Sequence, residues 1–195
     1  MSKRTSKKAG KAAKTTDWSE RLRKALWKRS KGELIDALVE LAQEDRGILR
    51  RLDARFEVAA PPQELVAATH QAIADATAFD ERDINRNFDY DYEAYSAVKR
   101  NLGRLIGLGH LRRAMELSLE LMKRGSYQVE MSDEGLMTDD IEECLQVVIR
   151  ALAQCDLPAD EVVVWCAAML KSDRVKCICD RDLRSLQHQF EGSRS

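Results

Sequence analysis

Residues 92–122 read YEAYSAVKRNLGRLIGLGHLRRAMELSLELM, and their spacing points to the fold class. Tyr92, Tyr95, Val98, Leu102, Leu105 and Ile106 recur three and four residues apart, the period of a helix face. Gly107 and Gly109 then bracket a tight turn, and Leu111, Ala114, Met115, Leu121 and Met122 mark a return helix. Two apolar faces joined by so short a link predict an antiparallel αα-hairpin.

The same period recurs on both sides of this stretch. Upstream, Asp17 is placed to cap a helix running to about Lys28. Ser30 caps the next, with Glu33 completing a capping box, and Leu34, Ile35, Leu38, Val39 and Ala42 share one face. Ile48, Leu49, Leu52 and Phe56 mark a third helix. Pro61-Pro62 opens a fourth, carrying Leu65, Ala68, Ala72, Ile73, Ala76 and Phe79. The polar, acidic stretch Asp80 to Asp91 reads as a loop, and Gly125 to Thr138 as a second.

Downstream, Thr138 or Asp139 is expected to cap a helix bearing Ile141, Cys144, Leu145, Val148 and Leu152. Pro158 starts another with Val162, Trp165, Cys166 and Met169, and Asp180 caps the last through Leu183, Leu186 and Phe190. No segment alternates with period two, and the run Val162 to Val164 has helical flanks. The expectation is an all-α protein, an irregular α-solenoid or multi-helix bundle of about nine helices in stacked antiparallel hairpins. No strict internal period is present.

The 195 residues are enough for a real core, and no apolar run approaches the roughly 18 to 20 residues of a membrane span. No apolar stretch follows the basic start, so a secretory signal is not expected and the cytoplasm is the expected location. The five cysteines, Cys144, Cys155, Cys166, Cys177 and Cys179, are an odd number without a secretion signal, which implies reduced thiols. The net charge of −1 hides an asymmetry: residues 1–31 carry twelve Lys or Arg and two acids, a balance of +10 that leaves −11 for the remainder. Residues 1–16 contain no large apolar residue after Met1 and are expected to be a disordered basic tail. Residues 17–191 form the expected helical domain, and 192–195 a disordered C-terminus.

Three constellations could carry function. In the first, Lys3, Arg4, Lys7, Lys8, Lys11 and Lys14, extended by Arg21, Arg23, Lys24, Lys28 and Arg29, would neutralise nucleic-acid phosphates; otherwise they solubilise a terminus. In the second, Asp89, Tyr90, Asp91, Tyr92 and Glu93, with Asp133 and Glu134, form acidic and aromatic loops suited to a basic protein partner. The plainer account of these is a helix N-terminal turn with Tyr92 and Tyr95 facing the core. The third is Cys177, Cys179 and His188, three ligand types for zinc with Asp180 or Asp182 as a fourth; the commoner case is buried reduced thiols. His70, His110 and His188 have no nucleophile at a motif spacing, and no Walker, G-x-G-x-x-G or H-E-x-x-H motif is present. Gly103 and Gly107 form a G-x-x-x-G that marks close helix packing. No cofactor is expected.

Two stretches resemble a known family. LWKRSKGELIDALVELAQEDRGILRRLDARF, residues 26–56, resembles the helical segment that accompanies SWIM zinc fingers in many bacterial proteins. There a leucine-rich helix is followed by a turn like Gln43-Glu44-Asp45 and a helix of the Ile48 to Leu52 kind. DYDYEAYSAVKRNLGRLIGLGHLRRAMELSLELMKRG, residues 89–125, with SDEGLMTDDIEECLQ at 132–146, is similar to the later hairpin of that family. Ser132, Asp133, Glu134 and Gly135 stand at its acidic loop. The resemblance implies a helical repeat region serving as an interaction platform. The finger itself needs C-x-C followed by C-x-H. Cys177 and Cys179 supply the first half, but Leu186 stands where His188 needs a cysteine, so the finger is absent or degenerate.

The resulting expectation is a non-enzymatic helical adaptor binding a protein partner. The alternative is a nucleic-acid-associated accessory protein using the basic arm, with a small regulatory or metal-dependent enzyme held in reserve.

Overall fold

A computed structural model describes residues 12–56, 61–87 and 89–192, with the side chains of 12–17 and 54 outside that description. Of the expected disordered tail over 1–16, residues 1–11 lie outside the described residues, whereas 12–16 already belong to a helix. Of the expected disordered C-terminus over 192–195, residue 192 ends the last helix and 193–195 lie outside the described residues. Among those described, the chain is all helical, with ten helices and no strand. It divides into two compact units between Leu52 and Asp53.

The first unit holds α1 (Ala12–Leu26), α2 (Lys31–Glu44) and most of α3 (Arg46–Phe56). Helix α1 starts ahead of Asp17, which is therefore inside the helix and not its cap; Ala12, Ala13 and Lys14 are good helix formers. The capping box at α2 forms as read: Ser30 Oγ accepts from Glu33 N at 3.2 Å, and Glu33 Oε2 accepts from Ser30 N at 2.8 Å. Those bonds hold the Glu33 carboxyl below its usual range.

The second unit contains α4 (Pro62–Ala76), α5 (Glu81–Asn87), α6 (Tyr92–Gly107), α7 (Leu111–Glu130), α8 (Thr138–Leu152), α9 (Ala159–Ser172) and α10 (Asp180–Gly192). Helices α4, α6, α8 and α10 are neighbours in that order, and α7 and α9 form a second row against them. The apolar period explains the packing. Ile141, Cys144, Leu145, Val148 and Leu152 of α8 are all buried, one face of a helix enclosed by α6, α7 and α10. The run Val162 to Val164 is helical, with Val162 buried and Val164 exposed, so packing overrides β propensity.

The α6–α7 turn follows from its glycine. Gly109 has φ +81°, His110 N donates to Leu105 O at 2.8 Å, and Gly109 N donates to Ile106 O at 2.9 Å. This is a Schellman closure. Asp80 to Asp91 is not all loop: Asp80 Oδ1 accepts from Arg82 N and Asp83 N and starts α5. Gly125 does not end a helix; α7 runs through it to Glu130. A Cβ at Gly125 would lie 2.8 Å from Ile141 Cδ1, so this glycine admits α8. Of the G-x-x-x-G pair, a Cβ at Gly103 would meet Val147 Cγ1 at 3.9 Å, while one at Gly107 would meet nothing within 4 Å. Helix α8 begins at Thr138 without a side-chain cap, the Thr138 hydroxyl donating back to Gly135 O.

Many helix ends are closed from neighbouring helices. Gln128, fully buried on α7, donates to Ala76 O at the end of α4 at 3.2 Å and accepts from the Tyr95 hydroxyl of α6. Asn85 donates to Met131 O after α7, and Ser126 donates to Ser172 O at the end of α9. Gln189 donates to Ala153 O after α8. In the α9–α10 link, the buried Asp173 carboxylate accepts from Val175 N at 3.0 Å and Ile178 N at 2.9 Å. Within that link Lys176 and Cys179 hold left-handed φ values of 59° and 52°.

Two stability measurements check this packing. Gly125→Val is expected to cost about 1–3 kcal/mol through overpacking against Ile141. Gly103→Ala is expected to be neutral or to gain up to about 1 kcal/mol from helix propensity. Equal denaturation midpoints for the two variants would contradict the account of Gly125. Gln128→Leu strands a buried hydroxyl and a buried carbonyl and is expected to cost about 2–4 kcal/mol in urea unfolding.

Candidate partner-binding surfaces

In the first unit, local signals build helices without burying them. No described residue from 18 to 52 is buried. On α2, Leu34, Ile35, Leu38, Val39, Leu41 and Ala42 cover an arc of roughly 160° at 100° per residue, more than one packed helix covers. Val39 is 51% exposed, and Ile35, Leu38 and Leu41 are nearly as open. Trp18 at 64% and Trp27 at 84% stand out on the α1 side. Between the end of α1 and the start of α2 lies a groove of about 610 Å³ with Leu22, Leu26, Trp27 and Leu34 along it and Arg23, Arg29 and Lys31 at its edges. Among the described residues, no carboxylate lines it.

Of the expected nucleic-acid residues, Arg21, Arg23, Lys24, Lys28 and Arg29 are exposed. Arg29, in the link, lies 3.6 Å from Glu33 in the first turn of α2. Lys3, Arg4, Lys7, Lys8 and Lys11 lie outside the described residues, as does the side chain of Lys14.

In the second unit, an open recess of about 440 Å³ gathers Asp80, Asp83, Asp89, Asp91 and Glu93 with Phe79, Tyr90 and Tyr92. The sequence pattern Asp89 to Glu93 supplies most of it, and α5 adds Asp80 and Asp83. Two of its carboxylates have structural duties: Asp80 caps α5, and Asp91 Oδ1 accepts from Ala94 N at 2.9 Å to cap α6. The Tyr90 hydroxyl donates to Asp140 Oδ2 at 2.8 Å, and burial with that carboxylate pushes it up to about 12. Tyr95 turns into the core as expected, but Tyr92 is 59% exposed and lines the recess instead. Asp133 and Glu134 are exposed but do not line it; their loop is fixed to α5 by the Asp133 N bond to Asn85 Oδ1.

The third constellation does not converge. Cys177 is exposed, whereas Cys179 is buried and donates its N–H to Glu142 Oε1 at 2.9 Å. His188 projects outward on α10, its side chain 81% exposed, beside Glu191. Asp180 pairs with Arg184, and Asp182 accepts from Gln146. Among the described residues, no three His, Cys, Asp or Glu side chains are grouped to hold a metal ion.

His70 Nδ1 lies 2.6 Å from Glu120 Oε2 on the exposed surface, a pairing the sequence spacing did not indicate. The cysteines are all free. Burial pushes the Cys144, Cys166 and Cys179 thiols up from 9.0 to about 12, which keeps them protonated and poorly nucleophilic near neutrality. Comparison with protein-family models, with curated proteins and with solved structures gives no match.

What the sequence reading missed is the openness of α1 and α2. Their spacing looks like that of any core-facing helix. The available signal was the width of the α2 arc, which exceeds what α1 alone can cover.

The thiols give a pH dependence with a definite sign. Both states are protonated below about pH 9, so the raised folded values do not alter stability there. Above that, the unfolded chain loses these protons first, and stability is expected to fall as pH rises toward 12. A Cys144→Ala, Cys166→Ala, Cys179→Ala variant is expected to show a flatter loss in alkaline urea titrations.

Proposed function

We propose that this chain is a non-catalytic helical adaptor whose α1 and α2 bind a protein partner. The observation that carries the reading is the unburied apolar arc of α2, together with the exposed Trp18, Trp27, Leu22 and Leu26 of the same unit. Contiguous exposed apolar surface of this kind marks interaction sites. A helical segment without a core gains too little from burial to offset its chain entropy, so covering this face would stabilise it. The resemblance of residues 26–56 to a helical interaction platform points the same way. Five free cysteines fit a reducing compartment such as the cytoplasm. No described helix is long and apolar enough to cross a membrane.

The acidic recess of the second unit would accept Lys or Arg side chains of a partner. A second reading, contact with nucleic acid, rests on the exposed Arg21, Arg23, Lys24, Lys28 and Arg29.

Site-specific photo-crosslinking in the native cell separates the two readings. A crosslinking amino acid at Val39 or Leu22 is expected to give protein adducts, lost when Leu38→Ser is added. Nucleic-acid adducts at these positions, or salt-sensitive duplex binding abolished by Arg21→Glu with Lys24→Glu, would transfer the function to the basic arm.

A further inference from the structure

The groove between α1 and α2 has a composition that selects its occupant. Leu22 and Leu26 lie on successive turns of α1, Leu34 lies in the first turn of α2, and the largely exposed Trp27 of the link lines the groove with them. This strip is wide enough for a few apolar side chains from a short segment. Among the described residues, its charged lining is cationic: Arg23 from the last turn of α1, Arg29 from the link, and Lys31 from the first residue of α2. Arg29 has Glu33 as a neighbour at 3.6 Å, but among the described residues no carboxylate lines the groove. Residues 18–31 as a whole carry six Lys or Arg and one acid.

We infer that this groove binds an acidic protein segment, one that inserts Leu or aromatic anchors between α1 and α2 and sets Asp or Glu against Arg23, Arg29 and Lys31. The inference rests on the adaptor reading and names the chemistry of the partner. Apolar anchors supply the burial, and the cationic rim sets selectivity and speeds encounter. A basic segment with the same anchors would meet three like charges. A bare phosphate polymer would satisfy the rim but leave Leu22, Leu26 and Trp27 uncovered.

The test uses the full chain and three labelled synthetic peptides. One carries Leu and Phe anchors flanked by Glu, one the same anchors flanked by Lys, and one the Glu residues with Ala in place of the anchors. Fluorescence anisotropy at low salt is expected to show the first binding at least about tenfold more tightly than either control. Added salt is expected to weaken it, and Leu22→Ser to reduce it further. Arg23→Glu with Lys31→Glu is expected to invert the preference toward the Lys-flanked peptide, a gain that misfolding cannot produce. Equal binding of the Glu- and Lys-flanked peptides, tighter binding of duplex DNA, or a stable dimer of the chain that blocks the groove would each overturn the inference. If the peptides fail while the Val39 protein adduct persists, only the chemistry assigned to the occupant falls. If both fail, the adaptor reading falls with it.

Discussion

The second unit depends on one constraint: a helix leaves its last carbonyls without partners, and in a stack of helices those ends lie against other helices. Gln128 shows the solution most fully. Its amide donates to the end of α4, its carbonyl accepts from Tyr95 of α6, and its backbone belongs to α7. One buried side chain therefore fixes three helices in register. Asn85, Ser126 and Gln189 do the same for the ends of α7, α9 and α8. Among the described helices, only α6 ends on a left-handed glycine that closes it locally. Of these bonds from across the stack, the one to Ala76 O is fully buried, so losing its donor leaves a buried carbonyl bare.

The first unit lacks this kind of cross-helix closure in its clearest local elements. Ser30 and Glu33 cap α2 from within it, and Asp45 caps α3 through Gly47 N and Ile48 N. These bonds specify where helices begin and leave their apolar faces unassigned. That contrast sets the second unit, whose helix ends are tied to one another, apart from the first, whose described residues from 18 to 52 are not buried.

The sequence was most legible where local chemistry decides the outcome. The α6–α7 hairpin follows from periodicity and Gly109, and the α2 start from its capping box. The short helix α5 was hidden because its acidic residues look like loop, although Asp80 is a competent cap. Gly125 misled for the opposite reason: its role is to let Ile141 approach, a fact about α8 that its own neighbours do not encode. The acidic recess was half visible, since Asp89 to Glu93 are contiguous, whereas Asp80 and Asp83 reach it only through α5. Tyr92 and Tyr95 share a helical face on paper. At the first turn of α6, Tyr95 finds a core to enter and Tyr92 finds only the recess.

The α9–α10 link behaves as a latch. Lys176 and Cys179 each sit in a backbone region that costs a non-glycine residue about 1–2 kcal/mol. The two amide bonds to Asp173 and the bond from Cys179 N to Glu142 hold them there. Once those bonds break, nothing favours the left-handed turns, and the chain relaxes away from them. Helix α10 should then leave α8 and α9 as a unit, giving its amides a shared hydrogen-exchange rate instead of the graded fraying of an ordinary terminal helix.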